Sequence, residues 1–229
     1  MLKKRKAESS LFITFEGVEG SGKTSQLRRL KRYLARKGIP CTFTREPGGC
    51  PISNAIRKIL LAPTHREIAP LTELFLYEAA RTQHVEEVIV PALEKGQVVI
   101  SDRFSDASTA YQGYGRQVDR AWIESLNQIA TRKIRPDVTF LLDCPARVGL
   151  KRAIQRNQVL KQEKESRFEQ EKNPFHARVR KGYLSIARKE PGRFIVVDTR
   201  EGEEKVFLRI RKVIDEVLKV KGFQDGRKP

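Results

Sequence analysis

Apolar positions along this chain fall in short runs that alternate with stretches of helical spacing. Residues 11–15, Leu-Phe-Ile-Thr-Phe, run into a glycine-rich segment, which predicts a buried strand followed by a tight loop. Over residues 24–37, Leu27, Leu30 and Leu34 recur at helical spacing and Gly38 is the stop. A second strand is expected over 41–44, leading into the turn Arg45-Glu46-Pro47-Gly48-Gly49. Further helices are expected over 52–61 (closed by Pro63), 71–93, 122–133 and 202–220. Leu71, Leu74, Phe75, Val85 and Ile89 mark the core stripe expected for the long helix. Val206, Ile210, Val213 and Val217 mark that of the last. Strands are expected over 97–101 (ending at Asp102-Arg103), 138–142 and 193–197. Five strands alternating with helices predict a three-layer α/β domain, a parallel sheet covered on both faces. Ligands of such a sheet bind at the carboxyl ends of its strands.

Length and composition agree with one domain. The chain has 229 residues, 39% hydrophobic and 32% charged. No apolar run approaches the ~20 residues of a membrane helix, so no membrane partner is expected. Met1-Leu2-Lys3-Lys4-Arg5-Lys6 is basic, but no apolar segment of signal type follows. Residues 1–8 read as a basic disordered arm, 9–220 as the domain and 221–229 as a flexible tail. Cys41, Cys50 and Cys144 are odd in number and form no C-x-x-C pair, which points to the reduced cytoplasm. The net charge of +18 is spread along the chain, with no aromatic-interleaved basic motif. It reads as a surface surrounding a site for anionic small molecules, and nucleic acid is not required.

The chemistry enters at Gly17-Val18-Glu19-Gly20-Ser21-Gly22-Lys23-Thr24. This matches G-x-x-x-x-G-K-[ST], after an apolar strand and before a helix. Glycines let backbone N–H groups curl around phosphates, Lys23 brings a point charge, and Thr24 can ligate Mg²⁺. The loop therefore predicts ATP binding. A guanine-reading N-K-x-D is missing, and no strand ends in the Asp-Glu of a water-activating ATPase. Asp102-Arg103 suits a kinase better: the acid organises Mg²⁺ and the arginine clamps a phosphate in transfer.

Several further segments, in order and spacing, resemble the bacterial thymidylate kinase family over roughly residues 11–215. These are FEGVEGSGKT, Arg45-Glu46-Pro47-Gly48-Gly49, Tyr77-Glu78-Ala79-Ala80-Arg81, Asp102-Arg103-Phe104-Ser105-Asp106, Ala110-Tyr111-Gln112-Gly113 and Arg167-Phe168-Glu169-Gln170-Glu171. The resemblance implies the P-loop kinase fold with a mobile lid, a homodimer, and transfer of the ATP γ-phosphoryl group to dTMP with Mg²⁺, for dTTP synthesis. It further implies that Tyr77, where the family usually has Phe, stacks on thymine and that Arg81 donates to its O4. Ser108 and Gln112 would read the base edge, and Tyr111 would crowd the sugar C2′. Glu19 would accept from the 3′-hydroxyl, and Arg57 with Arg103 would hold the 5′-phosphate. Glu46 and Pro47 would line the dTMP site, with Pro47 a candidate cis residue.

Residues 152–170 are polar and read as the lid. The phosphate loop carries no arginine, so the resemblance places catalytic arginine in the lid. Arg152 would lie over adenine, and Arg156 or Arg167 would reach the transferred phosphoryl group. Here the chain departs from the family pattern, because ten residues separate Arg156 from Arg167. Two other readings stay open: a kinase for dUMP, UMP or CMP, and a non-catalytic P-loop protein binding nucleic acid.

Overall fold

The structure is a computed structural model that describes residues 10–160 and 167–223, the side chains of residues 156, 157 and 160 excepted. Among the described residues the strands are β1 (Leu11–Glu16), β2 (Cys41–Arg45), β3 (Val98–Asp102), β4 (Val138–Asp143) and β5 (Phe194–Asp198). All pair in parallel, in the order β2-β3-β1-β4-β5. The helices are α1 (Lys23–Arg36), α2 (Pro51–Leu61), α3 (Pro70–His84), α4 (Val90–Glu94), α5 (Ser105–Ser108), α6 (Arg120–Ala130), α7 (Ala146–Leu160), α8 (Asn173–Lys189) and α9 (Glu203–Val220).

The central strand explains the layering. Every residue of β1 is buried. Leu11, Ile13 and Phe15 pack with Leu30 and Leu34 of α1 and with Val206, Ile210 and Ile214 of α9. Phe12 points the other way, among Val85, Ile89, Leu93 and Phe104. Each such side chain contributes about 1.5–3 kcal/mol by leaving water. With both faces covered, β1 must be apolar almost throughout, as its sequence is.

Several elements depart from the sequence pattern. The helix expected over 71–93 is interrupted by a π-helical turn, Val85–Ile89, that joins α3 to α4. Leu71 and Phe75 are exposed rather than core, with Phe75 at 52%. The buried face of α3 instead carries Glu73, Leu74, Glu78, Ala80, Arg81 and His84. That polar inner face pairs its charges internally, so the apolar residues were a poor guide to which side faces in. The helix expected over 122–133 stops at Ala130, because Arg132 and Lys133 take left-handed backbone. In α9 the buried row is Val206, Phe207, Ile210, Ile214 and Leu218, with Val213 and Val217 at its edge. The expected tail begins late: Phe223 packs against the core and Lys221 pairs with Asp137 at 3.6 Å. The arm 1–8 and the end of the tail lie outside the described residues.

Candidate active site

The carboxyl ends of β1, β3 and β4 converge on the glycine-rich loop. Gly17, Gly20 and Gly22 all take positive φ (138°, 65° and 96°), a conformation that only glycine adopts without strain. Space demands glycine too. A Cβ on Gly17 would lie 2.6 Å from the Leu142 carbonyl oxygen. A Cβ on Gly20 would meet the Gly149 carbonyl, and one on Gly149 would meet the Glu19 carbonyl. A pair of glycines thus lets α7 lie directly on the backbone of the loop.

Lys23 is buried, and its Nζ donates to the carbonyls of Gly17 (3.0 Å) and Val18 (3.2 Å). Burial, with the Arg103 charge, pulls its pKa down to about 8, against the pull of Asp102, Glu19 and Glu16. Beside it opens a cleft of ≈ 410 Å³ whose lining includes Gly22, Thr24, Gln26, Arg152, Arg200 and Gly202. Thr24 is exposed there, and Arg152 stands opposite the start of α1. Arg156 lies in α7, but its side chain is outside the described residues.

Arg103 joins the loop to a second site. Its backbone is left-handed (φ 73°). Ser101 Oγ donates to its carbonyl (2.7 Å), and the following Phe104 N–H donates to Glu16 (2.7 Å). The guanidinium donates to the Gly17 carbonyl (3.0 Å), Tyr183 (3.1 Å) and Glu19 (3.1 Å), and lies 4.8 Å over the Tyr111 ring. Tyr111 Oη also donates to Glu19, at 2.5 Å. Burial opposes ionisation of Glu19. Its contact with His176, the Arg103 charge and the Tyr111 hydroxyl outweigh that and hold its pKa down to about 2. Glu16 goes the other way: burial and the Asp106 charge raise it to about 8, although Arg103, Tyr183 and the Phe104 N–H hold it back.

Tyr77, half-buried on α3, faces this cluster. Burial and the Glu73 charge raise its pKa, while Arg167, Arg103 and Arg57 lower it. Arg57 also donates to the Pro47 carbonyl (2.9 Å), and the Glu46–Pro47 peptide is cis. Arg81 is 1% exposed. It donates to Glu46 (2.8 Å), Glu78 (2.5 Å), Ser108 (3.0 Å) and Asn127 (2.9 Å), and its Nη2 makes only a long contact to the Phe104 carbonyl (3.3 Å). Gln112 Nε2 donates to Glu73 (2.7 Å).

Arg167 differs from expectation. Its Nε donates to the Leu60 carbonyl and its Nη1 to Glu73 (2.7 Å), with the guanidinium 4.5 Å over the Phe168 ring. The cation is buried and held by these two segments, while its Nη2 has no partner among the described residues. Phe168 is likewise buried, so the return of the expected lid is packed. Sequence reasoning missed Glu16, Glu73, Glu78, His176, Tyr183 and Gly149. Only Glu16 carried a signal, a carboxylate closing an apolar strand directly before Gly17.

A family model described as thymidylate kinase matches residues 15–210. The chain belongs to the thymidylate kinase family. It is 56% identical over 187 residues to the thymidylate kinase of Citrifermentans bemidjiense, covering 82% of this chain and 83% of that one. It is 51% identical over 203 residues to that of Geobacter sulfurreducens, covering 89% and 95%. A crystal structure of thymidylate kinase from Ehrlichia chaffeensis superposes with a TM-score of 0.72 at 34% identity, covering 90% of this chain and 98% of that one. The reaction of this thymidylate kinase is phosphoryl transfer from ATP to dTMP, a step of nucleotide biosynthesis. Its five-stranded parallel sheet is that of a P-loop kinase.

Proposed function

We propose that this thymidylate kinase seats dTMP between Tyr77 and the Arg103 clamp and passes the γ-phosphoryl group in line from ATP on the glycine-rich loop. The observation that carries this reading is the Arg103 guanidinium. It touches the loop through Gly17 and Glu19 while lying 4.8 Å over the Tyr111 ring. Donor and acceptor phosphates would meet there, and positive charge is already in place where negative charge gathers. The acceptor phosphate is anionic at neutral pH, so no strong general base is required.

Glu19 accepts from the 3′-hydroxyl in this reading, and its low pKa keeps it an acceptor. Tyr111 stands at the sugar, held by its bond to Glu19. Arg81 and Gln112 read the base, with Ser108 and Glu46 fixing Arg81. Lys23 leaves its carbonyl partners for the phosphates, whose charge restores its ordinary affinity for a proton. Arg152 covers the adenine, and Arg156 remains the lid arginine proposed for the transferred group.

No cluster of three or more His, Cys, Asp or Glu suited to a metal occurs among the described residues. This fits Mg²⁺, which takes few protein ligands and leans on substrate phosphates. Thr24, exposed at the cleft, and Asp102, at the end of β3 beside Lys23, would hold it. When bound, it supplies charge neutralisation at the phosphates.

A homodimer is part of this proposal. Ile52 on α2, Phe75 on α3, and Trp122 and Ile129 on α6 are all exposed, at 53%, 52%, 56% and 72%. α3 packs against both α2 and α6, so these exposed apolar residues sit on neighbouring helices. No helix among the described residues is long and apolar enough to cross a membrane. A cytoplasmic location is supported by three free cysteines.

The test is coupled ADP release with ATP and Mg²⁺, comparing dTMP, dUMP, UMP, CMP and AMP. The expected result is dTMP fastest with dUMP second, because one methyl group discriminates by only ~1–3 kcal/mol. Turnover of another monophosphate without dTMP turnover refutes the acceptor assignment.

A further inference from the structure

Glu73 is wholly buried, yet it sits in the first turn of α3 with no lysine or arginine of its own helix as partner. Its donors come from two distant segments. Gln112 Nε2 donates to Oε1 at 2.7 Å. Arg116 Nη2 donates to Oε2 at 3.1 Å, and Arg167 Nη1 to the same oxygen at 2.7 Å. Both guanidiniums are themselves immobilised. Arg116 lies 4.6 Å over the Phe175 ring and pairs with Glu171, and Arg167 lies over Phe168. Tyr77 stands one helical turn along α3, close enough for the Glu73 charge to raise its pKa.

A carboxylate facing two guanidiniums only accepts hydrogen bonds. It therefore decides which end of the Gln112 amide turns toward it, a choice an isolated amide makes freely. The nitrogen goes to Glu73, and the oxygen becomes the acceptor presented on the other side. Thymine offers an N3–H donor between two carbonyl acceptors. Cytosine offers a bare N3 acceptor beside an amino donor. An amide oxygen from Gln112 together with a donor from Arg81 matches the first pattern and opposes the second.

We propose that Glu73 is a specificity-positioning residue: by holding the Gln112 nitrogen it fixes the amide so that the site accepts the thymine edge and rejects the cytosine edge. This rests on reading Gln112 as a base-edge residue. The role belongs to positioning, since Glu73 acts through Gln112 and touches no reacting atom. In Glu73→Gln the constraint is lost, because a second amide can donate to the Gln112 oxygen and let the Gln112 nitrogen face the base.

The experiment measures kcat and KM for dTMP and dCMP, and KM for ATP, in wild type, Glu73→Gln, Glu73→Asp and Gln112→Leu, with melting curves for each. In Glu73→Gln the dTMP-over-dCMP ratio of kcat/KM is expected to fall at least about tenfold, carried by KM for dTMP, with KM for ATP within about twofold of wild type. Glu73→Asp keeps both guanidiniums paired while withdrawing the carboxylate by one methylene, and serves if Glu73→Gln does not fold. Its ratio is expected to fall by a smaller factor. Gln112→Leu must also lose the ratio. If Gln112→Leu loses it and both folded Glu73 variants keep it, the role of Glu73 is overturned while base reading by Gln112 stands. If Gln112→Leu keeps it, the base-reading assignment fails and this inference fails with it.

Discussion

Arg81→Ala separates the cost of dismantling the acceptor wall from the loss of a base contact. Arg81 is 1% exposed and binds two buried carboxylates. Removing it does not strand them equally. Glu46 keeps His84 Nδ1 at 2.9 Å. Glu78 loses its bond at Oε1, and its Oε2 has no partner among the described residues. Breaking a buried pair by deleting one partner costs about 3–5 kcal/mol, since the other charge remains desolvated. In a domain of this size that lowers Tm by roughly 6–20 °C. Differential scanning calorimetry at pH 8 should show it. The deficit should shrink at pH 5, because an orphaned carboxylate takes up a proton more readily as pH falls. Arg81→Ala with Glu78→Ala should recover a substantial part, the removed charge being the one left alone. An Arg81→Ala protein melting within about 2 °C of wild type, or a double variant no more stable than the single, would refute this account of the wall.

Three further outcomes follow from the same geometry. Gly149→Ala places a Cβ against the Glu19 carbonyl and should lower kcat about 10–100-fold and lower Tm as well, since overpacking of about 1–3 kcal/mol exceeds the helix gain of about 1 kcal/mol from alanine; Gly192→Ala, with nothing within 4 Å, is the control that should match wild type. Glu16 holds a proton in the folded state, up to about pH 8, that the unfolded chain releases near 4.5. Its stabilising effect is therefore complete below the lower value and lost as pH rises toward the upper. Urea melts from pH 5 to 9 should show wild-type stability declining and Glu16→Gln declining less; parallel curves would dismiss the idea. Phe75→Glu and Trp122→Glu should each halve the mass seen by light scattering if the apolar side of α2, α3 and α6 is the dimer contact.

The parts of this enzyme legible in its sequence are those written contiguously. The run of residues 11–24 contains both the central strand and the loop it feeds, so pattern and motif support each other there. The residues assigned to the acceptor are scattered from Glu19 to Gln112, and only the family resemblance collected them. Two of the three elements left without a helix prediction, α7 and α8, are rich in arginine and lysine, which dilutes the apolar stripe. In α8 the buried face is nonetheless continuous, through Phe175, His176, Val179, Tyr183 and Ile186. The misreading of α3 has the opposite cause: its inner face carries the paired charges Glu73, Glu78 and Arg81, and its outer face exposes Leu71 and Phe75. Glu16 and Tyr183 stand 167 positions apart and meet at 2.7 Å, a relation no local pattern encodes.

The pairing of β1 has a consequence for how the chain matures during synthesis. β1 is made before the other described strands, yet its neighbours are β3 and β4, paired through Leu11 with Val98 and through Ile13 with Val138. Until the ribosome has delivered both, at least one hydrogen-bonded edge of β1 stays unsatisfied, and the glycine loop has no fully fixed strand from which to turn. Translation at ~5–20 residues per second keeps that apolar strand waiting for several seconds. A chain stopped anywhere before β4 would carry the whole phosphate-binding motif and still hold no nucleotide, and Phe12, Ile13 and Phe15 would be the surface most in need of a chaperone.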